Sequence, residues 1–195
     1  KDWEKLKQVL KDSGRVYNKY EHRNTLEGIL YLMRTGIQWR DLPPEFGLWN
    51  TVFRRFNLWS KKGILQKLFE QFAAEHDAEW LFIDGSIVKA HQDSTGAVGD
   101  SDEAIGKSRG GNSTKIHVAV DSGGLPIYFE LSGGQVHDIS HAQSLIEHSP
   151  KTTCVTADKG YDSDVFREFI AQNGGVANIP RKTSRKKGNA HMDWC

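Results

Sequence analysis

The chain is poor in several features that would narrow its class at once. It has two cysteines in 195 residues, Cys154 and Cys195, and neither sits in a Cys-x-x-Cys pair or a Cys/His zinc spacing. A disulfide scaffold is therefore excluded, and the eight histidines show no zinc-ligand spacing either. Cys154 lies in an apolar stretch and reads as a small buried hydrophobe, so a reducing, intracellular compartment is the expected setting. No apolar run approaches the ~18 residues that a membrane-crossing helix needs, and no secretory signal is visible. Charge of one sign is also lacking, with 26 Lys/Arg against 25 Asp/Glu. Residues 1–79 hold 14 Lys/Arg and 11 Asp/Glu, and the remainder 12 and 14. That asymmetry is too weak to argue DNA binding by itself.

What is present is the composition of a soluble globular protein, 37% hydrophobic and 26% charged, with six tryptophans. The length suits one medium domain, or a small domain followed by a core of about a hundred residues. The chain opens on Lys1 and stops after Met192-Asp193-Trp194-Cys195, and it reads as a piece of a longer chain.

Residues 1–79 are expected to be helical. Leu26, Ile29, Leu30 and Met33 recur at helical spacing and end at Gly36. Asn24 or Thr25 would cap that helix, with Glu27 in its first turn. Pro43 and Pro44 predict an extended turn. A second helix would place Trp49, Val52, Phe53, Phe56 and Trp59 on one stripe, leaving Arg54, Arg55 and Asn57 off it. A third, after Gly63, carries Ile64, Leu65, Leu68, Phe69 and Phe72. Such helices suit a small helix-turn-helix-like bundle with the 49–59 helix facing DNA. They suit an ordinary helical subdomain with solvated arginines equally well.

From residue 80 the period changes. Leu81-Phe82-Ile83 reads as a buried strand, Thr114–Val120 alternates, Asp121–Gly124 makes a hairpin turn, and Pro126–Leu131 returns. A helix is predicted from an Asp138 N-cap to His148, a strand over 152–157, a helix over 163–173, and a last strand from Val176 to Pro180. This order suits a mixed five-stranded α/β sheet with flanking helices, its first and fourth strands parallel neighbours. The expected domains are thus a small all-α unit, 1–79, and an α/β unit, 80–195.

Two of those strands end on an acid. Ile83-Asp84-Gly85-Ser86 and Ala157-Asp158-Lys159-Gly160-Tyr161 share one design, and the carboxyl ends of strands are where open α/β sheets place chemistry. Paired there, Asp84 and Asp158 could hold Mg²⁺ or Mn²⁺; with a further carboxylate, two ions ~3.5–4 Å apart could clamp an in-line phosphoryl displacement. The blander reading is that each Asp caps the turn after it. That reading suits either one alone, and the site reading suits the pair.

Other motifs carry less. Gly106-Lys107-Ser108 fails as a phosphate loop because position 101 is Ser and no helix follows. A loop whose Lys107 and Arg109 touch phosphates competes with a plain solvated loop. His117 shares a strand face with Lys115, and His137 precedes the expected cap; both suit ordinary hydrogen bonding. No Gly-x-Ser-x-Gly elbow occurs. Arg181-Lys182-Thr183-Ser184-Arg185-Lys186-Lys187 holds five basic residues in seven, which favours phosphate contact over a merely basic tail.

Five motifs in order carry a family resemblance: Gly36-Ile-Gln-Trp-Arg-Asp-Leu-Pro43, Ile83-Asp-Gly-Ser86, Ile105-Gly-Lys-Ser-Arg-Gly-Gly111, Thr114-Lys-Ile-His117 and Ala157-Asp-Lys-Gly-Tyr-Asp162. On them the chain resembles a DDE-type insertion-sequence transposase of the insertion sequence five group. The resemblance implies a helical DNA-binding region ahead of a ribonuclease H-like core. It implies an Asp-Asp-Glu set that binds Mg²⁺ (or Mn²⁺) for DNA nicking and strand transfer, with Asp84 and Asp158 matching the two Asp. Expected partners are double-stranded DNA, as terminal inverted repeats and target, with no membrane and, as one option, a homodimer on DNA. The expected location is the bacterial cytoplasm, at the nucleoid. Expected DNA contacts are Arg54, Arg55, Lys107, Arg109, Lys115, Lys159, Arg181, Lys182, Arg185, Lys186 and Lys187. The family's Glu comes from a helix after the basic segment, whereas residues 188–195 contain no Glu. An inactive fragment with weak metal binding is the resulting expectation. The alternatives are a DNA-binding remnant that occupies transposon ends and represses, and a ribonuclease H-fold nuclease acting on other nucleic acids.

Overall fold

The computed structural model describes residues 2–13, 19–73, 79–90 and 104–182. The chain divides into two compact units, 1–74 and 75–195. Among the described residues no helix is long and apolar enough to cross a membrane.

Among the described residues the first unit has four α-helices: α1 (Asp2–Asp12), α2 (Lys19–Thr35), α3 (Trp49–Lys61) and α4 (Ile64–Ala73). Their apolar positions meet in one core of Leu10, Leu26, Ile29, Leu42, Val52, Trp59, Ile64 and Leu68. Helix α2 begins at Lys19 and not at Asn24, so Asn24 and Thr25 lie inside it and cap nothing. Thr25 is buried and accepts a hydrogen bond from Arg55 Nη1 at 2.9 Å. Extra turns ahead of the expected start are gained because tertiary packing outweighs weak local capping signals. Leu42 and Pro43 form the expected extended segment, at φ −61°, ψ 126° and φ −56°, ψ 138°, between short 3₁₀ turns at Trp39–Asp41 and Pro44–Phe46. Pro44 opens the second, where its missing N–H costs nothing. On α3, Val52 and Trp59 are buried while Trp49 and Phe53 remain over a third exposed, so the expected stripe is only partly used. Gly36 and Gly63 end their helices at positive φ, 68° and 65°, a conformation that glycine takes without steric cost.

The second unit is an α/β sandwich of one sheet and two helices. Its elements are β1 (Trp80–Lys89), β2 (Gly106–Ser108), β3 (Gly111–Val120), β4 (Pro126–Gly133), α5 (Ala142–Glu147), β5 (Cys154–Thr156), α6 (Asp164–Gln172) and β6 (Val176–Asn178). Across the sheet the order is β4-β3-β1-β5-β6, with β2 also on β3. The sheet has six strands, not five. The extra one, β2, hairpins onto the start of β3 through Arg109-Gly110, with Gly111 at φ 100°. Three residues in a polar, Gly-rich stretch carry no alternation that would announce a strand. Strands β1 and β5 are parallel neighbours, as the element order predicts.

The predicted 138–148 helix is split. Asp138–Ser140 is a 3₁₀ turn whose flanking residue is His137, and α5 follows. Helices α5 and α6 bury Leu145, Ile146, Phe166 and Ile170 against Leu81, Ile83 and Val155. Each such side chain taken out of water contributes about 1.5–3 kcal/mol. Cross-strand pairing puts Phe82, Asp84, Ile116 and Val118 on the opposite face, where Phe82 stays 38% exposed.

Candidate active site

The geometry of the two acids follows from strand register. Between β1 and β5 the last paired rung is Phe82 with Thr156. Asp84 and Asp158 each follow that rung by two residues, which brings both to the same end of the parallel pair. There β5 stops while β1 runs on against β3 to Lys89. The sheet opens at that point, and both carboxylates are exposed in the opening.

Each Asp also accepts a nearby backbone N–H: Asp158 caps the turn after it, whereas Asp84 lies within β1 and no turn follows it. Asp84 Oδ1 accepts from the Gly85 N–H at 2.8 Å, and Asp158 Oδ1 accepts from the Gly160 N–H at 2.8 Å. The capping and site readings are therefore compatible, because each carboxylate commits one oxygen to the backbone. Among the described residues no hydrogen bond reaches the second oxygen of either. Two exposed, anionic oxygen donors at one end of the strand pair fit a hard divalent cation, which takes one or two carboxylates and keeps its waters. Among the described residues no cluster of three or more His, Cys, Asp or Glu could hold a metal.

Behind the pair sits Tyr161, which motif spacing had not singled out. It is buried, and its hydroxyl has no hydrogen-bond partner among the described residues. Burial first, and then the charges of Asp138, Asp84 and Asp158, push its ionisation well above the ordinary tyrosine range. The phenol therefore stays protonated and lies within the field of three acids.

The third acid, Asp138, is the residue read as a helix N-cap. Its carboxylate turns inward instead: Oδ1 lies 3.2 Å from Lys115 Nζ and 3.7 Å from His117 Nδ1. A Cβ built on Gly85 would stand 2.0 Å from that same oxygen. Only glycine admits this approach.

Lys115 is corrected by the same geometry. It is 7% exposed, donates to the Val136 carbonyl at 2.7 Å, and is paired with Asp138. It points into the unit and not toward DNA. His117, fully buried, pairs through Nε2 with Ser132 Oγ at 2.8 Å and stacks on His141 at 4.1 Å. His141 and Ser144 in turn reach Glu130. Burial opposes ionisation of Glu130, but the bonds from Ser144, His141 and Tyr128 outweigh it and hold the carboxyl below its usual range.

Burial, then the neighbouring His141, lowers the pKa of His117. Below about pH 6.5 the unfolded chain takes up a proton at this position that the folded chain refuses, so stability falls with falling pH. Thermal melts between about pH 8 and pH 5 should show this slope, and His117→Gln should flatten its upper part. An unchanged slope would remove His117 from the account.

The remaining basic candidates separate. Arg54, Lys107, Arg109 and Lys159 are exposed. Arg55 is half-buried on Thr25. Arg181 pairs with Asp164 at 2.8 Å and Asp162 at 3.6 Å, and the exposed Lys182 is held through its backbone N–H by Asp162. Arg185, Lys186 and Lys187 lie outside the described residues, as does Asp193.

Comparison with known proteins bears on the family. Residues 75–192 match the family described as "Transposase DDE domain", and residues 1–69 match "Putative transposase of IS4/5 family (DUF4096)". A relative from Sinorhizobium fredii, "Uncharacterized protein y4sN", is 32% identical over 62% of this chain and 92% of its own. "Putative transposase for insertion sequence element IS6501" of Brucella ovis is 39% identical over 42% of this chain and 62% of its own. "Transposase for insertion sequence element IS1106" of Neisseria meningitidis serogroup B is 33% identical over 37% and 25%. DDE transposases act on DNA, generally with divalent metal ions, and their catalytic domain has a ribonuclease H-like fold. With the DDE match running through most of the second unit and over more than half of the sequence, the chain belongs to the DDE transposase family, whose members cleave DNA and transfer its strands.

Proposed function

We propose that Asp84 and Asp158 are the metal-holding acids of a DNA cleavage and strand-transfer site in this chain. The observation that supports the reading is that both acids follow the last β1–β5 rung by two residues, each with one oxygen uncommitted among the described residues. The preferred ion is Mg²⁺ or Mn²⁺, which suits two carboxylates plus substrate phosphate and water. Such an ion, when bound, polarises a phosphate and makes a water or hydroxyl a better nucleophile. The Gly85 and Gly160 N–H groups fix the inner oxygens and so aim the outer ones. Tyr161, kept protonated, adds no further charge to an already acidic site.

DNA contact in this reading comes from exposed cations. Lys159 follows Asp158 directly, while Lys107 and Arg109 occupy the β2–β3 hairpin. Arg181, Lys182, Arg185, Lys186 and Lys187 extend the basic set, and residues 1–79 act as the DNA-binding unit ahead of a catalytic unit, 80–195. The DNA is the inverted-repeat end of an element and its target, engaged by a homodimer at the nucleoid.

Manganese uptake followed by electron paramagnetic resonance tests the site. The chain is expected to bind Mn²⁺, and Asp84→Ala and Asp158→Ala each to weaken binding at least about tenfold, the scale of one lost charged ligand. Undiminished binding in both variants would overturn the assignment. For the helical unit, Arg54→Ala should lower DNA affinity and reduce the salt slope by about one without moving the melting temperature. Arg55→Ala should lower the melting temperature as well, because it also removes the bond to Thr25. Fluorescence anisotropy across a salt series, with thermal melts, separates the two; unchanged DNA binding in Arg54→Ala would remove α3 from the interface.

A further inference from the structure

We propose that Asp138 is a positioning residue for the metal-holding pair, its carboxylate fixed by Lys115 and braced against the backbone of Gly85 beside Asp84. The inference rests on the assignment of Asp84 and Asp158 above and goes one layer deeper. Three observations support it.

First, contact with Gly85 is closer than any side chain at that position would permit, since a Cβ would meet Asp138 Oδ1 at 2.0 Å. Gly85 is also the residue whose N–H orients Asp84. Asp138 therefore borders the peptide that aims the first acid. Second, the Asp138–Ser140 turn packs against the Lys159–Tyr161 turn that Asp158 caps. Asp138 thus lies between the two segments that carry the acids. Third, Asp138 is itself held in place: Lys115 Nζ is 3.2 Å away, buried, and anchored on the Val136 carbonyl at 2.7 Å. The ammonium serves this carboxylate as a charge partner, although Oδ1 makes no hydrogen bond among the described residues. Asp138 acts through Gly85 and the neighbouring turn and is not a metal ligand. The unpartnered Tyr161 hydroxyl lies in the field of all three acids, consistent with one continuous acidic corner.

Groups that orient metal ligands commonly change metal affinity 10- to 100-fold when replaced, without touching the ion. The test uses the full chain, Mn²⁺ as the probe, and thermal melts of each variant. Asp138→Asn keeps the volume and a partner oxygen for Lys115, and it should weaken Mn²⁺ binding about tenfold or more. Gly85→Ala keeps every charge but forces the carboxylate away, so it should weaken Mn²⁺ to a similar extent. If Asp138→Asn does not fold, Gly85→Ala and the charge-neutral pair Lys115→Met with Asp138→Asn carry the test. Mn²⁺ affinity within about twofold of the parent in the folded variants would overturn the proposal, because a role confined to folding leaves a folded variant's site intact. Failure of the parent chain itself to bind Mn²⁺ would overturn the underlying pair assignment, which is a separate result. Asp138→Ser, which shortens the clashing side chain, is expected to weaken Mn²⁺ binding by itself and to leave the double variant with Gly85→Ala no weaker than either single variant, which places both effects at this contact; additive losses would overturn it.

Discussion

Asp158→Asn is expected to leave a folded chain that binds DNA and to lower metal-dependent strand cleavage by about three orders of magnitude, several kcal/mol of transition-state stabilisation. The substitution is informative because it separates the two roles of this residue. An asparagine side chain caps as well as an aspartate, so its amide oxygen can keep the 2.8 Å bond from the Gly160 N–H and with it the Lys159–Tyr161 turn. What is lost is the negative charge and the anionic outer oxygen. Asp84→Asn should behave alike, since its inner oxygen accepts from Gly85 in the same manner. Nicking of supercoiled DNA bearing element ends, with Mg²⁺ or Mn²⁺, reads cleavage, while anisotropy and melts read binding and folding. Parent-level cleavage by either variant would sink the catalytic assignment.

Asp138→Ala is expected to have the largest effect on stability, about 3 kcal/mol, the low end of the ~3–5 kcal/mol that removal of one partner from a buried ion pair costs. The low end applies because the Asp138 side chain is 36% exposed and solvent screens part of the pair. The loss comes mainly from Lys115, whose ammonium is left inside the unit with a single carbonyl to receive it. Lys115→Met in the same background should recover most of that loss, since a buried charge without a counter-charge is worse than no charge. Urea unfolding of the parent, the single and the double variants gives the cycle. A double variant no more stable than Asp138→Ala would show that Lys115 is not the source of the penalty.

Much of the second unit is legible in its residues. Asp84 and Asp158 stand out because each ends an apolar run and precedes a Gly, although β1 continues past Asp84 to Lys89, and the order of strands and crossovers already makes β1 and β5 parallel neighbours. Gly174 at φ 83° and the Asp121 turn, whose carboxylate accepts from the Gly123 and Leu125 N–H groups, fall where turn chemistry puts them. The first unit is legible in its periodicity but not in its boundaries. Helix α2 extends to Lys19 although Thr25 looks like a cap, since a threonine can cap a helix or sit buried within one.

The roles of Lys115 and Asp138 were not legible. Along β3 the polar set Ser113, Lys115 and His117 alternates with the apolar set Ile116 and Val118, and simple patterning turns the apolar set toward the core. The structure does the reverse: Ser113, Lys115 and His117 are buried on the side covered by α5, and Ile116 and Val118 are only partly buried on the other. By itself, then, the sequence determined five of the six strands, their order and the two acids that end their apolar runs, because these depend on local period and short-range turn chemistry; β2 and the extension of β1 past Asp84 to Lys89 carried no such signal. Only the tertiary structure decided which face of the sheet the helices cover. That choice depends on where distant segments dock, and it turned a lysine expected to face DNA into the buried anchor of the acid behind the site.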